Sequence, residues 1–235
     1  MNVDLGVDEV ALEPHPGWFV VFQRLMKLRV IVLLQVTAIC AILVHDLIAV
    51  TDRTWMDTLV TIGITVVGGT LSAGGSNAIN MWYDADIDPL MRRTKNRPVP
   101  QGHISPRGAL LFGLIIAVLG SSLFLIVSWK AAFWSFFSVI FYVLIYSIWL
   151  KRRTPQNIVI GGIAGSTPPL IGWAAAAGDT ALDTLNPLAL GSPVPWLFFA
   201  LIFFWTPPHF WALALYRSGE YAKAKVPMMN EVRGP

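Results

Sequence analysis

The chain has 235 residues, 55% of them hydrophobic and only 13% charged, with a mean hydropathy of +0.60. Soluble domains carry about 25% charged residues, so this balance, with 10 Trp and 13 Phe, excludes an ordinary soluble domain and points to a membrane protein. The single cysteine, Cys40, excludes an intramolecular disulfide or a cysteine-based metal cluster. At a modest net charge of +3, no nucleic-acid partner is expected.

The first residues, MNVDLGVDEVALEPHPGW, are acidic and contain Pro14, Pro16 and Gly17. A secretory signal would start basic and lead into a short apolar core, and a transit peptide would be rich in Arg and poor in acids. Residues 1–25 are therefore expected to form an acidic tail, disordered or lying on the membrane surface. Residues 26–235 are read as one transmembrane domain, and a prokaryotic plasma membrane is the expected location.

Six apolar spans follow, near 29–50, 58–83, 109–128, 131–150, 158–177 and 195–216. Each approaches the roughly 20 residues that a spanning helix needs. The fold class is thus an all-α, polytopic membrane bundle. Positive charge alternates between connections. Arg24, Lys27 and Arg29 precede span one, and Arg92, Arg93, Lys95, Arg97 and Arg107 join spans two and three. Lys151, Arg152 and Arg153 join four and five, and Arg217, Lys223 and Lys225 follow six. The other connections hold only Arg53 and Lys130, alongside Asp46, Asp52, Asp57, Asp179 and Asp183. The positive-inside rule then places both ends of the chain, and the region 80–107, in the cytoplasm.

The end of span two, NAINMWYDADIDPLMRRTKNRPVP, carries the densest charge. Asn80, Asp84 and Asp88 recur every fourth residue, which on a helix gives one polar stripe drifting by about 40° per step. Asp86 falls on the other side, and Pro89 is expected to end the helix. An ionised group deep in a bilayer costs on the order of 3 kcal/mol, and carboxylates on one face offset this by holding a hard cation. Mg²⁺ fits, since it takes one or two protein carboxylates and fills its shell with water and phosphate. Asn80 adds a neutral oxygen or a donor. Arg92, Arg93, Lys95 and Arg97 follow directly, and Arg and Lys both meet phosphate well. Together these residues suit a diphosphate at the membrane surface whose apolar tail lies among the helices, which is a prenyl diphosphate. The plain alternative is a helix end with an ordinary charged loop. It accounts for Arg92 and Arg93 through topology alone, but less well for the carboxylates, because negative charge sits poorly at a helix C-terminus.

NMWYDADID followed by RTKNRPVPQGHIS resembles the first aspartate-rich motif, N-x3-D-x3-D, of the UbiA superfamily of intramembrane prenyltransferases. TPQNIVIGGIAGSTPPLIGWAAAAG (residues 154–178) and FFWTPPHFWALALYRSGEYAKAKVPMM (residues 203–229) resemble the branch of that superfamily that farnesylates protohaem IX, the haem O synthases. The resemblance implies transfer of a farnesyl group from farnesyl diphosphate to a vinyl group of haem b, with water added, to give haem O for terminal oxidases. It also implies Mg²⁺ as cofactor. Its substrates would be farnesyl diphosphate and haem b in a lipid bilayer, and a haem A synthase or oxidase assembly would take the product. It implies nine helices, three beyond the six counted, so a C-terminal truncation is expected. The branch's second motif reads Asp-Tyr-x-x-Ala-Gly before Pro-Met; here Glu220 stands for the Asp and Lys225 for the Gly.

On this basis Asn80, Asp84, Asp88, Lys95 and Arg97 are the expected catalytic residues, with Asp84 and Asp88 on the metal. Arg92, Arg93, His103, His209, Tyr216, Arg217, Glu220 and Tyr221 are expected to bind substrate. His209, after Pro207 and Pro208, is read either as a contact to haem iron or a propionate or as a hydrogen-bonding tie between helices, and the two prolines are expected to break or kink span six. His45 sits on the outer side, as an interface anchor or a second haem contact. Trp82, Tyr83, Tyr146 and Trp205 suit packing, or the π-face stabilisation of a cation. The glycines of GGTLSAGGSN and GGIAGS are read as close helix packing. Three other readings stay open: a prenyltransferase of a quinone precursor, a transporter or cation channel, and a non-catalytic haem-binding protein. The channel reading is disfavoured because no acidic residue lies near the middle of a span.

Overall fold

The computed structural model describes residues 14–50, 52–179, 185–216, 224, 226–229 and 232. Among them every regular element is helical. Six stretches are long and apolar enough to cross a membrane: Leu28–Ile48, Trp55–Tyr83, Pro106–Ile126, Trp129–Leu150, Asn157–Ala177 and Val194–Leu215. These are the six spans expected from composition, and the chain is a multi-pass membrane protein.

The region expected to be a tail is partly helical. α1 (Trp18–Met26) buries Val21 and Leu25 against the C-terminal end of α3 (Trp55–Tyr83), beside Ala78 and Met81. Its apolar residues lie on one face, so packing stabilises a segment whose acidic, proline-containing start suggested none. Lys27 then turns the chain into α2 (Leu28–Ile48) in a left-handed conformation, φ 56°, the only positive φ outside glycine among the described residues. A non-glycine residue pays for that geometry in steric strain.

α3 packs most extensively on α4 (Pro106–Leu123). Gly68 and Gly75 on α3 are seven residues apart, as are Gly113 and Gly120 on α4, and the two pairs meet at two levels. A Cβ added at Gly75 would lie 2.5 Å from the Gly113 carbonyl oxygen, and one at Gly120 would lie 2.4 Å from the Ser72 nitrogen. This is the close approach read from the glycine-rich stretch.

Asp57 and Thr54 form a reciprocal capping box at the start of α3. α5 (Trp129–Ile140) continues to Leu150 as a π-helix over Phe141–Leu150. Span five is broken into α6 (Asn157–Ser166) and α7 (Pro168–Ala177) at Thr167, where Pro168 and Pro169 lack backbone donors. α7 is almost wholly buried, and a Cβ on Gly172 would fall 2.1 Å from the Ala38 carbonyl oxygen of α2. Of the break or kink expected in span six, a break does not occur: α8 (Val194–Tyr216) runs continuously through Pro207 and Pro208 and packs mainly on α6 and α7. The prolines that divide a helix are those at the start of α7.

Candidate active site

α3 ends at Tyr83, six residues before Pro89, which instead sits within a short 3₁₀ turn over Asp88–Leu90. The stripe outlives the helix because the backbone keeps its pitch at the positions that matter. The Asp84 N–H donates to the Asn80 carbonyl at 3.0 Å, and the Asp88 N–H donates to the Asp84 carbonyl at 2.9 Å. The three side chains therefore still point one way, and Asp84 and Asp88 are both fully buried.

Facing them is the end of the π-helical stretch. Ser147 and Lys151 are four residues apart, like Asn80 and Asp84. The Asn80 Nδ2 donates to Ser147 Oγ at 3.1 Å, and Lys151 Nζ donates to Asp84 Oδ2 through a short contact. The π geometry carries Ser147 Oγ back onto the Tyr142 carbonyl at 2.9 Å and so fixes its rotor; π segments of this sort gather at functional sites. From the α1–α2 corner Lys27 Nζ donates to Asn80 Oδ1 at 3.2 Å. One amide thus ties three elements. Asn77, one turn earlier, donates to the Met26 carbonyl at 2.9 Å and anchors the same corner.

The remaining cations close the ring. The Arg97 Nη1 donates to both Asp88 oxygens at 2.8 Å. The Arg152 guanidinium makes two 2.7 Å bonds to Asp86, donates to the Tyr83 carbonyl at 2.9 Å and lies 4.6 Å from the Tyr83 ring centroid. Thr94 Oγ1 donates to the Asp88 carbonyl at 2.7 Å, which folds the loop back on the stripe. Burial pushes the Asp88 carboxyl up, against the pull of Arg97. Burial likewise holds the Lys151 ammonium below its usual range, although Asp84 opposes this. Lys27 is pushed well below, first by burial and then by the like charges of Arg97 and Lys151. Asp86 is the opposite case, held below the ordinary carboxylate range chiefly by its bonds from Arg152.

Three carboxylates and four cations gathered at one mouth leave an excess of positive charge that favours a polyanion. Asp84 Oδ1 has spare capacity: it is buried and accepts no hydrogen bond, with Arg152 at 3.6 Å. No group of three or more His, Cys, Asp or Glu gathers among the described residues. Two carboxylates, one with a buried unbonded oxygen, still fit a hard cation that completes its shell with water and phosphate oxygens.

The other expected residues scatter. Lys95 is half-buried and Arg92 and Arg93 are exposed on the same loop. His103 is buried at the far end of that loop against His15, with ring centroids 5.4 Å apart. His209 is exposed on α8, stacked on Trp205 at 4.3 Å. Arg217, Glu220, Tyr221 and the side chain of Tyr216 lie outside the described residues. The segment just beyond them does return to the site: Ala224, Val226 and Met228 pack with Ile87 and Met91, and Asn157 Nδ2 donates to the Pro227 carbonyl at 3.1 Å.

Sequence reasoning missed Lys27, Lys151, Arg152 and Ser147 as site residues. The first three had been counted only as markers of sidedness. That was also the available signal, since among the described residues the basic connections on one side of the bundle, those with Lys27, Arg97 and Lys151–Arg152, abut the same mouth.

A multi-pass helical bundle with buried carboxylates and cations gathered at one mouth is the class that the structure defines. The UbiA prenyltransferase family model matches residues 37–235, and the chain belongs to that family. It is 47% identical over 215 residues, 89% of its length, to the protoheme IX farnesyltransferase of Bartonella tribocorum. It is 42% identical over 98% of its length to protoheme IX farnesyltransferase 2 of Mesorhizobium japonicum. The chain spans 62% of the Bartonella protein and 68% of the Mesorhizobium one. Among solved structures, a UbiA homolog from Archaeoglobus fulgidus bound to DMAPP and Mg²⁺ matches with a TM-score of 0.65 at 17% identity, covering 91% of this chain and 69% of that one. A structure described for digeranylgeranylglyceryl phosphate synthase matches at 0.68, also at 17% identity, over 92% of this chain and 69% of that one. At such identity the likeness concerns the fold.

Proposed function

We propose that the protein transfers a farnesyl group from farnesyl diphosphate to a vinyl group of haem b, with addition of water, giving haem O. The observation that carries this reading is the convergence of Lys27, Arg97, Lys151 and Arg152 on Asn80, Asp84, Asp86 and Asp88 at one mouth of the bundle. The names of the curated relatives support the choice of acceptor. Asp84 and Asp88 hold Mg²⁺, whose contribution when bound is to neutralise diphosphate charge. Lys151, Arg97 and Lys95 receive the diphosphate as its bond to the prenyl carbon breaks, and Lys27 and Asn80 orient it. Preorganised cations aimed at the leaving charge are the largest catalytic contribution available here. The vinyl π pair forms the new carbon–carbon bond, and no strong base is required.

Arg92, Arg93 and His103 guide the incoming anion, and Tyr216, Arg217, Glu220 and Tyr221 also bind substrate. His209, with the adjoining aromatic face of α8, contacts haem. The mouth and the N-terminus face the cytoplasm of a prokaryotic cell, and the product passes to a haem A synthase or a terminal oxidase.

The test uses membranes carrying the protein expressed from its complete gene, with haem b and farnesyl diphosphate. Mass spectrometry should find haem O that requires Mg²⁺ and disappears in the Asp84→Asn, Asp88→Asn double variant. Folded protein that yields no prenylated haem overturns the reading.

A further inference from the structure

α3 carries a second feature, which the charged mouth does not use. Thr61, Thr65, Ser72, Ser76 and Asn80 follow one another at four- or seven-residue steps along one face, and all are buried. The stripe begins at the outer polar cluster, where Thr61 accepts from Arg53 at 2.9 Å, and ends at the mouth. Between these ends lies a cleft with space of about 60 Å³, mostly apolar in its lining, to which Gln35, Thr65, Ser72, Ser76, Ser135 and Ser138 bring polar groups. One water molecule needs roughly 10–15 Å³ on this measure, so a short file of several fits.

Most hydroxyls here are already engaged. Thr61 and Ser76 donate to carbonyls one turn back on α3, at 2.8 and 3.0 Å, Ser138 donates to the Ala164 carbonyl at 3.1 Å, and Ser135 pairs with Ser121 at 2.9 Å. Each keeps lone pairs to accept from a further donor. Thr65 differs: its Oγ1 has no hydrogen-bond partner although the residue is only 1% exposed. A buried hydroxyl left unpaired in an otherwise apolar bundle is costly, and water is its ordinary partner where a cleft has room and other polar groups to hold it.

We propose that this cleft is a water site, anchored at Thr65, that feeds the prenyl-transfer reaction; the inference rests on the function proposed above. Ser76, at the near end, lies one helical turn from Asn80 and so about 6 Å below the mouth. Breakage of the prenyl carbon–oxygen bond and attack by the vinyl π pair leave a cation on the carbon attached to the porphyrin. A lone pair of a water molecule from the file forms the new carbon–oxygen bond there. The extra proton on that oxygen passes along the hydroxyl-lined file to the released diphosphate. Without water the same cation loses a proton from its neighbouring carbon and becomes an alkene, one water lighter.

Two measurements on the protein expressed from its complete gene test this. Hydroxyl-radical footprinting by synchrotron radiolysis generates the oxidant from bound water in place. Phe124 lines the cleft and is fully buried, so it should be oxidised, while fully buried Ile42, which does not line it, should not. The Phe124 label should fall about fivefold in Thr65→Val, the weight of one lost hydrogen bond, and return in Thr65→Ser. Phe124 as unreactive as Ile42 in the wild type overturns the water site. The second measurement is the product ratio with haem b and farnesyl diphosphate. In Thr65→Val and in Ser72→Ala, Ser76→Ala, total prenylated haem should stay within about twofold while the alkene fraction rises about fivefold. An unchanged ratio overturns water delivery even if the site is wet. Absence of any prenylated haem from the wild type counts against the proposed function, and the footprint still decides whether the cleft holds water.

Discussion

Two polar clusters stand at opposite ends of α3, and they handle a carboxylate differently. At the Trp55 end Asp46, which is half-buried, is saturated. Its Oδ1 accepts from Arg53 Nε at 3.0 Å and meets His45 Nδ1 at 2.9 Å, and its Oδ2 accepts from Thr58 at 2.6 Å. His45 is itself wedged edge-on against Trp173, centroids 5.0 Å apart. At the Tyr83 end Asp84 is buried more completely yet keeps one oxygen unbonded, and cations outnumber the carboxylates that they could neutralise. A saturated carboxylate between helices is a structural tie. An unsaturated one within excess positive charge is arranged for something that arrives.

The comparison can be broken most sharply by removing charge at both ends. Asp84→Asn with Asp88→Asn should lower turnover about a thousandfold or more, whereas Asp46→Asn should leave it within about threefold; turnover in membranes by mass spectrometry is the readout. Equal losses at the two ends would erase the distinction. Next in size, Lys151→Met should lower turnover about a hundredfold. It also leaves a buried carboxylate without its partner, so the melting temperature in detergent should drop, and millimolar Mg²⁺ should recover more of that drop than it gives the wild type. Asp46→Asn should show the converse pattern, a stability loss of about 1–2 kcal/mol that Mg²⁺ does not touch. Ser147→Ala should cost turnover about fivefold, because Asn80 loses the hydroxyl that orients it but keeps Lys27.

The smallest effect concerns Asp86, whose side chain is 62% exposed and whose pairing with Arg152 solvent therefore screens. Its carboxyl is held below the ordinary range in the folded protein. The stabilisation is therefore complete above the unfolded value of about 3.9 and is lost as pH falls through the lower folded value. The stability gap between wild type and Asp86→Asn should be constant near neutrality and close only in strong acid.

The order and number of the spans were legible because burying an apolar helix in lipid is a property of composition. The Asn80–Asp84–Asp88 stripe was legible because spacing of four survives as a single face, even where the helix proper stops at Tyr83. The partners of that stripe were not. Lys151 meets Asp84 across 67 residues, and nothing in local periodicity separates it from Arg153, two residues on and exposed. The division of span five at Thr167 and the continuity of α8 through Pro207 and Pro208 show the same limit. A proline removes a donor in either place, and the packing around it decides whether the helix yields. α1 was hidden for a related reason: its helicity rests on contacts with α3 that its own composition does not advertise.

The wound-out stretch Phe141–Leu150 has one more consequence, for how such a chain tolerates length change. A π-helix takes more residues per turn, so the segment behaves as a helix with a residue stored inside it. Deleting a single residue there would let the winding tighten to an α-helix, so the segments on either side would keep their facing and Lys151 would stay toward Asp84. In a span that is α-helical throughout, the same deletion would shorten the helix by only about 1.5 Å, which a bilayer hardly registers, yet swing everything downstream by about 100° about the helix axis and put the mouth out of phase.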